Sequence, residues 1–341
     1  MEKTHFSSYC NNNIARGCKY CVLGKKLVLF ISGKCSRNCY YCSLSEKRKN
    51  KDEIWANERK INNPRELIEE ARESRAKGAG ITGGDPLLCL NRTIKYASAL
   101  KKTFKKFHIH IYLPTKLVTK EKLEKLSKYV DEVRFHPEFL INEKSNVIED
   151  IAKIKLALLF WKKENIGIEL PLIPEKRFEI LSFINMIKDS IGFVNLNELE
   201  ISDTNFSYMT GKYKLNESGY VIKESKEAGM WILKKLKSKL KVHLCTANLK
   251  NNFQYKNRLK MHKILPNGIR TREGTVRYLA VYAKNNFERL KREIKGFVDE
   301  GKKRIIISIK EARRVFGKHK ITKVEEYPTY DREEVEREDV K

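Results

Sequence analysis

Cys35, Cys39 and Cys42 stand within eight positions in the stretch GKCSRNCYYC, spaced C-x3-C-x2-C with Tyr41 before the last of them. Structural zinc closes with four ligands, commonly as two C-x2-C knuckles. This loop offers three. Iron–sulfur clusters are also held by thiolates, and one bound by only three leaves an iron open to an outside ligand. The spacing favours such a cluster over zinc, and an open iron implies chemistry.

Four further cysteines form a second set. Cys18 and Cys21 make a C-x2-C pair which, with Cys10 and Cys245, numbers what a second iron–sulfur cluster or a zinc ion needs. Cys21 precedes one candidate strand and Cys245 ends another, so parallel strands would hold them far apart unless the N-terminal segment crosses over. Cys89, alone at the start of a helical stretch, reads as a core thiol.

The elements that must position these residues alternate. The apolar run KLVLFIS before the first cysteine reads as a buried strand ending at Gly33, which puts the cysteine loop at its C-terminal end. Asn63-Pro64-Arg65-Glu66 opens a helix with an N-cap, a proline at its first position and a capping-box glutamate, and Gly78 is its expected end. A short strand then breaks at Gly83-Gly84-Asp85-Pro86. Candidate strands follow at 108–113, 131–136, 166–171, 194–202 and 241–245, with helices between most of them. This alternation predicts an α/β fold, a partial barrel of about six strand–helix units whose sites lie at the strands' C-terminal ends. From 249 onward the pattern changes. KNNFQYKNRLKMHKI reads as a basic helix, TVRYLAVYA as a strand, and FERLKREIKGFV as a helix carrying Phe287, Leu290, Ile294 and Phe297 on one side. Strands at RIIISI and KITKVEEY precede a loose acidic tail, YDREEVEREDVK. The expected division is an N-terminal cysteine-containing segment, 1–25, a barrel, 26–248, and a small basic C-terminal α/β domain with an acidic tail, 249–341.

A chain of 341 residues has room for such a core. It contains no run long enough to span a membrane, and the start MEKTHFSSYCNNN lacks a signal-peptide apolar region, so a cytoplasmic protein without a membrane partner is expected. Eight cysteines in a reducing compartment read as ligands or buried thiols, with sensitivity to oxygen. The formal charge of +28 invites an anionic partner, although lysine is spread along the whole chain.

The C-x3-C-x2-C loop after the first strand, the aromatic residue before its last cysteine and the Gly-Gly-acid-Pro turn after the second strand together resemble the radical S-adenosylmethionine (SAM) superfamily. KLVLFISGKCSRNCYYC, WANERKI and ITGGDPL carry a further likeness to archaeal proteins related to pyruvate formate-lyase activating enzyme or biotin synthase. The resemblance covers roughly residues 26–245. It implies a [4Fe-4S] cluster on Cys35, Cys39 and Cys42, with SAM on the open iron. It also implies Tyr41 over the adenine, and Gly83, Gly84 and Asp85 at the methionine amino group. Family members more often carry Glu at position 85. The implied chemistry is reductive cleavage of SAM and hydrogen abstraction from a substrate, with the electron supplied by a donor such as ferredoxin or flavodoxin.

Strand alternation turns Arg134 and His136 toward the barrel interior, where they are candidates for binding the cofactor, and places His108, His110 and Tyr112 on one face. Glu169 is a weaker candidate. Cys245, on the face of His243, is a candidate catalytic thiol that would return hydrogen to a substrate radical. The charge and the basic 250–263 helix with Phe253 and Tyr255 favour RNA as the substrate. The alternatives are a protein substrate, as for a glycyl-radical activating enzyme, a small metabolite, and a non-enzymatic metal-stabilised nucleic-acid-binding module.

Overall fold

In a computed structural model the structure describes residues 1–141, 146–283 and 285–340. Among the described residues, seven parallel strands run Lys26–Phe30, Gly78–Thr82, His108–Pro114, Glu132–His136, Ile166–Pro171, Phe193–Asn197 and Lys241–Cys245, each paired with the next. The crossovers between them carry helices on the outside, which gives the partial barrel expected of the alternation. Leu67, Ala97, Leu123, Ile154, Phe183 and Ile232 turn inward from these helices and share one fully buried apolar core with Leu29, Ile81, Ile111 and Leu244 of the strands. Alternation in HIHIY, EVRFH and FVNLN sends one set of side chains under the helices and the other into the lumen.

The two barrel edges are finished differently. A hairpin, Ile54–Ala56 and Arg59–Ile61, pairs antiparallel with the first strand. At the other edge Tyr9–Asn11 pairs antiparallel with the last strand, with Cys10 opposite His243. The N-terminal segment therefore does cross over, and it lies on the barrel rather than apart from it. The chain then turns into the helix Arg16–Val22, whose Gly17 N–H donates to Glu132 Oε2 at 2.8 Å.

Asn63 caps the helix Pro64–Glu73 by accepting from Glu66 N–H, and Glu66 Oε2 accepts from Asn62 N–H, one residue before the cap. That helix does not run to Gly78. It stops at Glu73 with Ser74 as its C-cap and Arg75 at φ 50°, and Gly78 is the first residue of the next strand. The strand expected at 194–202 is Phe193–Asn197, after which residues 198–224 leave the sheet and form a strap across the cysteine loop. The strap is held by Thr204 Oγ1 donating to the Leu44 and Cys42 carbonyls, and Asn205 Nδ2 donating to that of Tyr41.

Beyond a helical run over residues 247–261, six antiparallel strands form a second sheet with its own core of Val281, Ile305, Ile307 and Val315. Phe297 is not on the amphipathic helix, which ends at Glu293. It opens the strand Phe297–Asp299 and packs against a separate group with Tyr278 and Ile306. The acidic tail is not loose: Glu334–Asp339 pairs antiparallel with Thr322–Glu326. Lys302 donates to Glu326 and Glu334 across that pair, which offsets the acidic charge.

Candidate active site

A cavity of about 530 Å³ opens where the strands end, and Cys35, Cys39 and Cys42 stand together on its wall. Their loop is fixed from two sides, by the strap and by the Gly83-Gly84 turn. Gly84 N–H donates to Ser32 O at 2.8 Å and Asp85 N–H to Lys34 O at 2.9 Å. The contact is close enough to demand glycine: a Cβ on Gly84 would meet Lys34 O at 2.2 Å and Cys35 Cβ at 2.9 Å. One on Gly83, whose φ is +149°, would meet Ser32 O at 2.5 Å. Gly83 and Gly84 both line the cavity. Asp85 is fully buried, with Oδ2 accepting from Ser36 Oγ and Oδ1 from Leu87 N–H. Its carboxylate thus holds the turn against the cysteine loop.

Tyr41 lines the cavity and its hydroxyl meets His136 Nε2 at 2.8 Å. Burial, with Arg37 adding, pushes the imidazole of His136 down to about 4, so it is neutral at pH 7. Nδ1 lies 2.9 Å from the Glu169 carbonyl, which can only accept. Nδ1 therefore carries the proton and Nε2 accepts from Tyr41. Burial likewise pushes the Cys39 thiol up to about 11 and raises Cys35, so ligation must displace protons.

The deeper wall is polar and follows from strand register. Glu169 lies opposite Asn195, Asn195 opposite His243, and Tyr112 opposite Arg134. Glu169 is the centre: Oε1 accepts from Asn195 Nδ2 at 2.6 Å and Asn197 Nδ2 at 2.8 Å, and Oε2 from Arg134 Nη1 at 2.9 Å. Arg134 also donates to Glu132 Oε1 and, at 3.2 Å, to Cys18 Sγ. The lumen placement expected of Arg134 and His136 is what the structure has, and both spend their polar atoms on protein partners. His110 and Tyr112 line the cavity as well, whereas His108 accepts from the buried Lys26 ammonium and stacks on Tyr20. Alternation in FVNLN was the signal for Asn195 and Asn197. For Glu169 the sequence signal is weaker, because its alternate neighbours, Gly167 and Pro171, define no face.

Of the second set of cysteines, three line the cavity and one packs behind it. Cys18, Cys21 and Cys245 line the same cavity, while Cys10 packs with Ile14 and Phe193 behind Cys18. Burial pushes Cys245 up to about 12, and its sulfur accepts from Gln254 Nε2 at 3.6 Å. His243 is held between Asn195 Oδ1 and Ser8 Oγ. Among the described residues no three Cys, His, Asp or Glu groups stand close enough to share one metal ion, Cys35, Cys39 and Cys42 included. A cuboidal iron–sulfur cluster spreads its ligands over separate corners, and a loop of three free thiols beside bare glycine backbone suits that group.

The basic helical run presents little of its charge, with Lys260 exposed and its other cations paired. Lys250 pairs with Glu200, Lys256 with Glu273 and Arg258 with Glu58, and Asn257 Nδ2 donates to Val22 O. It is packed on the N-terminal helix and the edge hairpin, which removes the structural motive for an RNA face there.

A three-thiolate loop, a glycine turn and a partial parallel barrel define an enzyme class, and comparison with known proteins agrees. The chain belongs to the radical SAM superfamily: residues 29–174 match that superfamily's profile. A [4Fe-4S] cluster and SAM are the cofactors this membership implies. The chain is 43% identical over 274 residues to a Methanocaldococcus jannaschii protein provisionally named a glycyl-radical enzyme activating enzyme, covering 76% of this chain and 71% of the relative. Among solved structures it is similar to coproporphyrinogen III oxidase of Escherichia coli, a radical SAM enzyme. There the TM-score is 0.38 at 10% identity, over 66% of this chain and 56% of that one. No helix among the described residues is long and apolar enough to cross a membrane.

Proposed function

We propose that this enzyme is an activating enzyme that removes one hydrogen atom from a partner protein and leaves a radical on it. The cavity geometry carries the reading. The helix Arg16–Val22 closes the end of the barrel where the strands begin, through Gly17 on Glu132 and Cys18 on Arg134. A substrate must then enter the cavity from the cysteine end, which favours a slender peptide loop over a bulky group. The name of the Methanocaldococcus relative supports the same choice.

The cluster and SAM, when bound, supply a 5′-deoxyadenosyl radical by one-electron cleavage of a carbon–sulfur bond. Cys35, Cys39 and Cys42 would hold the iron. The carbonyls of Gly83 and Gly84 would accept from the methionine ammonium, with Asp85 fixing the turn that carries them. Tyr41, oriented by neutral His136, would take the adenine. Arg134 holds Glu169, and the half-buried Asn197 beside it would offer a hydrogen bond to a peptide backbone. The closed floor and the strap exclude water from the reacting atoms. The electron comes from a separate reductant, such as ferredoxin or flavodoxin.

Anaerobically reconstituted protein with dithionite should convert SAM to 5′-deoxyadenosine, and Cys39→Ala should abolish this with loss of iron. Supplying a perdeuterated glycyl-radical partner protein should place deuterium in the 5′-deoxyadenosine. Deuterium arriving only from labelled RNA would overturn the choice of substrate.

A further inference from the structure

The strap that crosses the cysteine loop bounds a second cavity, of about 480 Å³, where it returns past the helix Arg177–Ile187. Cations dominate its wall. Arg177, Lys212, Lys214 and Lys223 line it together with two carboxylates, Glu175 and Glu224. Glu175 is already engaged: its Oε1 accepts from the Tyr213 hydroxyl at 2.6 Å and pairs with Lys212 Nζ at 2.7 Å. Among the described residues no carboxylate pairs with Arg177, Lys214 or Lys223. The two strap lysines are also set against each other. Leu215 bridges antiparallel to Ile222, and Lys223 N–H donates to Lys214 O at 2.8 Å, so Lys214 and Lys223 stand directly opposite one another. Like charges in that position destabilise the pairing. On the barrel side the Arg177 guanidinium lies over the rings of Phe178, at 5.0 Å, and Trp231, at 5.6 Å. Phe178, 58% exposed, gives the cavity an apolar wall.

We propose that this second cavity binds the phosphate of a small molecule, which bridges Lys214 and Lys223 of the strap to Arg177 of the barrel. An oxyanion between the two lysines relieves the repulsion that the free strap carries. A guanidinium fork with two ammonium groups suits phosphate, with its several acceptor oxygens, better than a lone carboxylate. The volume falls in the usual range of small-molecule sites, and Phe178 is placed to pack on an organic body. The site is distinct from the main cavity, which the cysteines line. Its influence reaches their loop through the strap: Lys212 Nζ lies 5.5 Å from the centre of the Tyr40 ring, and the Tyr208 ring lies 5.0 Å from it. Occupancy ties the strap to the barrel and so steadies the cover over the cysteine loop.

The test is calorimetric titration of the reconstituted, oxidised holoenzyme with ATP and with sodium tripolyphosphate, in excess SAM so that the main cavity is filled. The variants are Lys214→Gln/Lys223→Gln and, as a control of equal charge, Lys237→Gln/Lys239→Gln, two exposed lysines beyond the strap. Wild type and control should bind one probe per chain, and the Lys214/Lys223 variant should bind at least about tenfold more weakly. Its thermal midpoint without ligand should be no lower than that of the wild type, since the repulsion is gone. Arg177→Gln should weaken the same probes from the barrel side. Tighter binding of ATP than of tripolyphosphate, with the difference lost in Phe178→Ala, assigns an organic phosphate, and equal binding assigns an inorganic polyphosphate. Saturating probe should also slow tryptic cleavage after Lys212. Equal losses of affinity in the variant and the control would overturn the proposal, because the attraction would then belong to the overall charge of +28. So would a wild type that binds tRNA but neither small probe, or a strap cleaved as fast with probe as without it. Binding to a protein that cleaves no SAM with dithionite upholds the site and strikes only the reading of the main cavity.

Discussion

Gly17→Ala reverses an elementary expectation. Gly17 lies in the helix Arg16–Val22, and replacing a helical glycine by alanine ordinarily stabilises by about 1 kcal/mol. Here a Cβ would meet Glu132 Oε1 at 2.5 Å, Arg134 Nη2 at 2.6 Å and His110 Nδ1 at 2.7 Å. These are the far ends of side chains, yet they cannot step aside. Arg134 and Glu132 are each 1% exposed, and the guanidinium is held by Glu132, Glu169 and Cys18. Overpacking costs about 1–3 kcal/mol, and a disturbed buried charge-assisted hydrogen bond about 1.5–3 kcal/mol. The net expectation is a loss of about 2–4 kcal/mol, well beyond the propensity gain. Urea unfolding followed by tryptophan fluorescence reports the barrel alone, because Trp55, Trp161 and Trp231 are the chain's three tryptophans. The variant should unfold at lower urea, and Cys18 and Cys21 should react faster with a thiol reagent before unfolding. Gly211→Ala is the control: Gly211 is also helical, and nothing lies within 4 Å of its added Cβ, so it should be neutral or stabilising. A Gly17→Ala protein as stable as the wild type would refute the docking of this helix on the lumen charges.

Two further outcomes follow from buried groups. Burial raises the Glu70 carboxyl to about 7 against the opposing hydrogen bond from Asn57, so the folded state favours its protonated form. Its contribution is fully present below the ordinary carboxylate range and is lost as pH climbs to about 7. Glu70→Gln should therefore gain stability over the wild type between pH 5 and pH 8, by about 2–3 kcal/mol, read as the difference in unfolding free energy between the two proteins. A difference independent of pH would count against the burial argument. Replacing Cys35, Cys39 and Cys42 together by Ala should leave a protein that retains neither iron nor zinc after reconstitution, because Cys10 packs with Ile14 and Phe193 while the Cys18 and Cys245 sulfurs accept from Arg134 and Gln254. Metal near one site per chain would show that the four act as ligands.

Local chemistry was legible wherever spacing along the chain sets it. The three thiols fall within eight residues, so the loop that carries them can bring them together without help from the rest of the fold, and the alternating strands already imply a barrel that ends beside them. Asn63, Pro64 and Glu66 began a helix for the same reason, since capping is a contact between near neighbours. What the tertiary structure decided are contacts between distant segments. Glu169 gains its place only when register sets it beside Asn195 and Arg134, and Cys18 and Cys21 reach the lumen only because Tyr9–Asn11 adds to the last strand. Arg258 is drawn into the fold by Glu58, 200 positions away. The acidic tail became a strand because a free sheet edge needed backbone partners, and hydrophobic periodicity carries no signal of that need. Charge shows most plainly how the two differ: a sequence counts lysines and arginines, but only folding decides which of them face water and which are neutralised by a carboxylate brought from elsewhere in the chain.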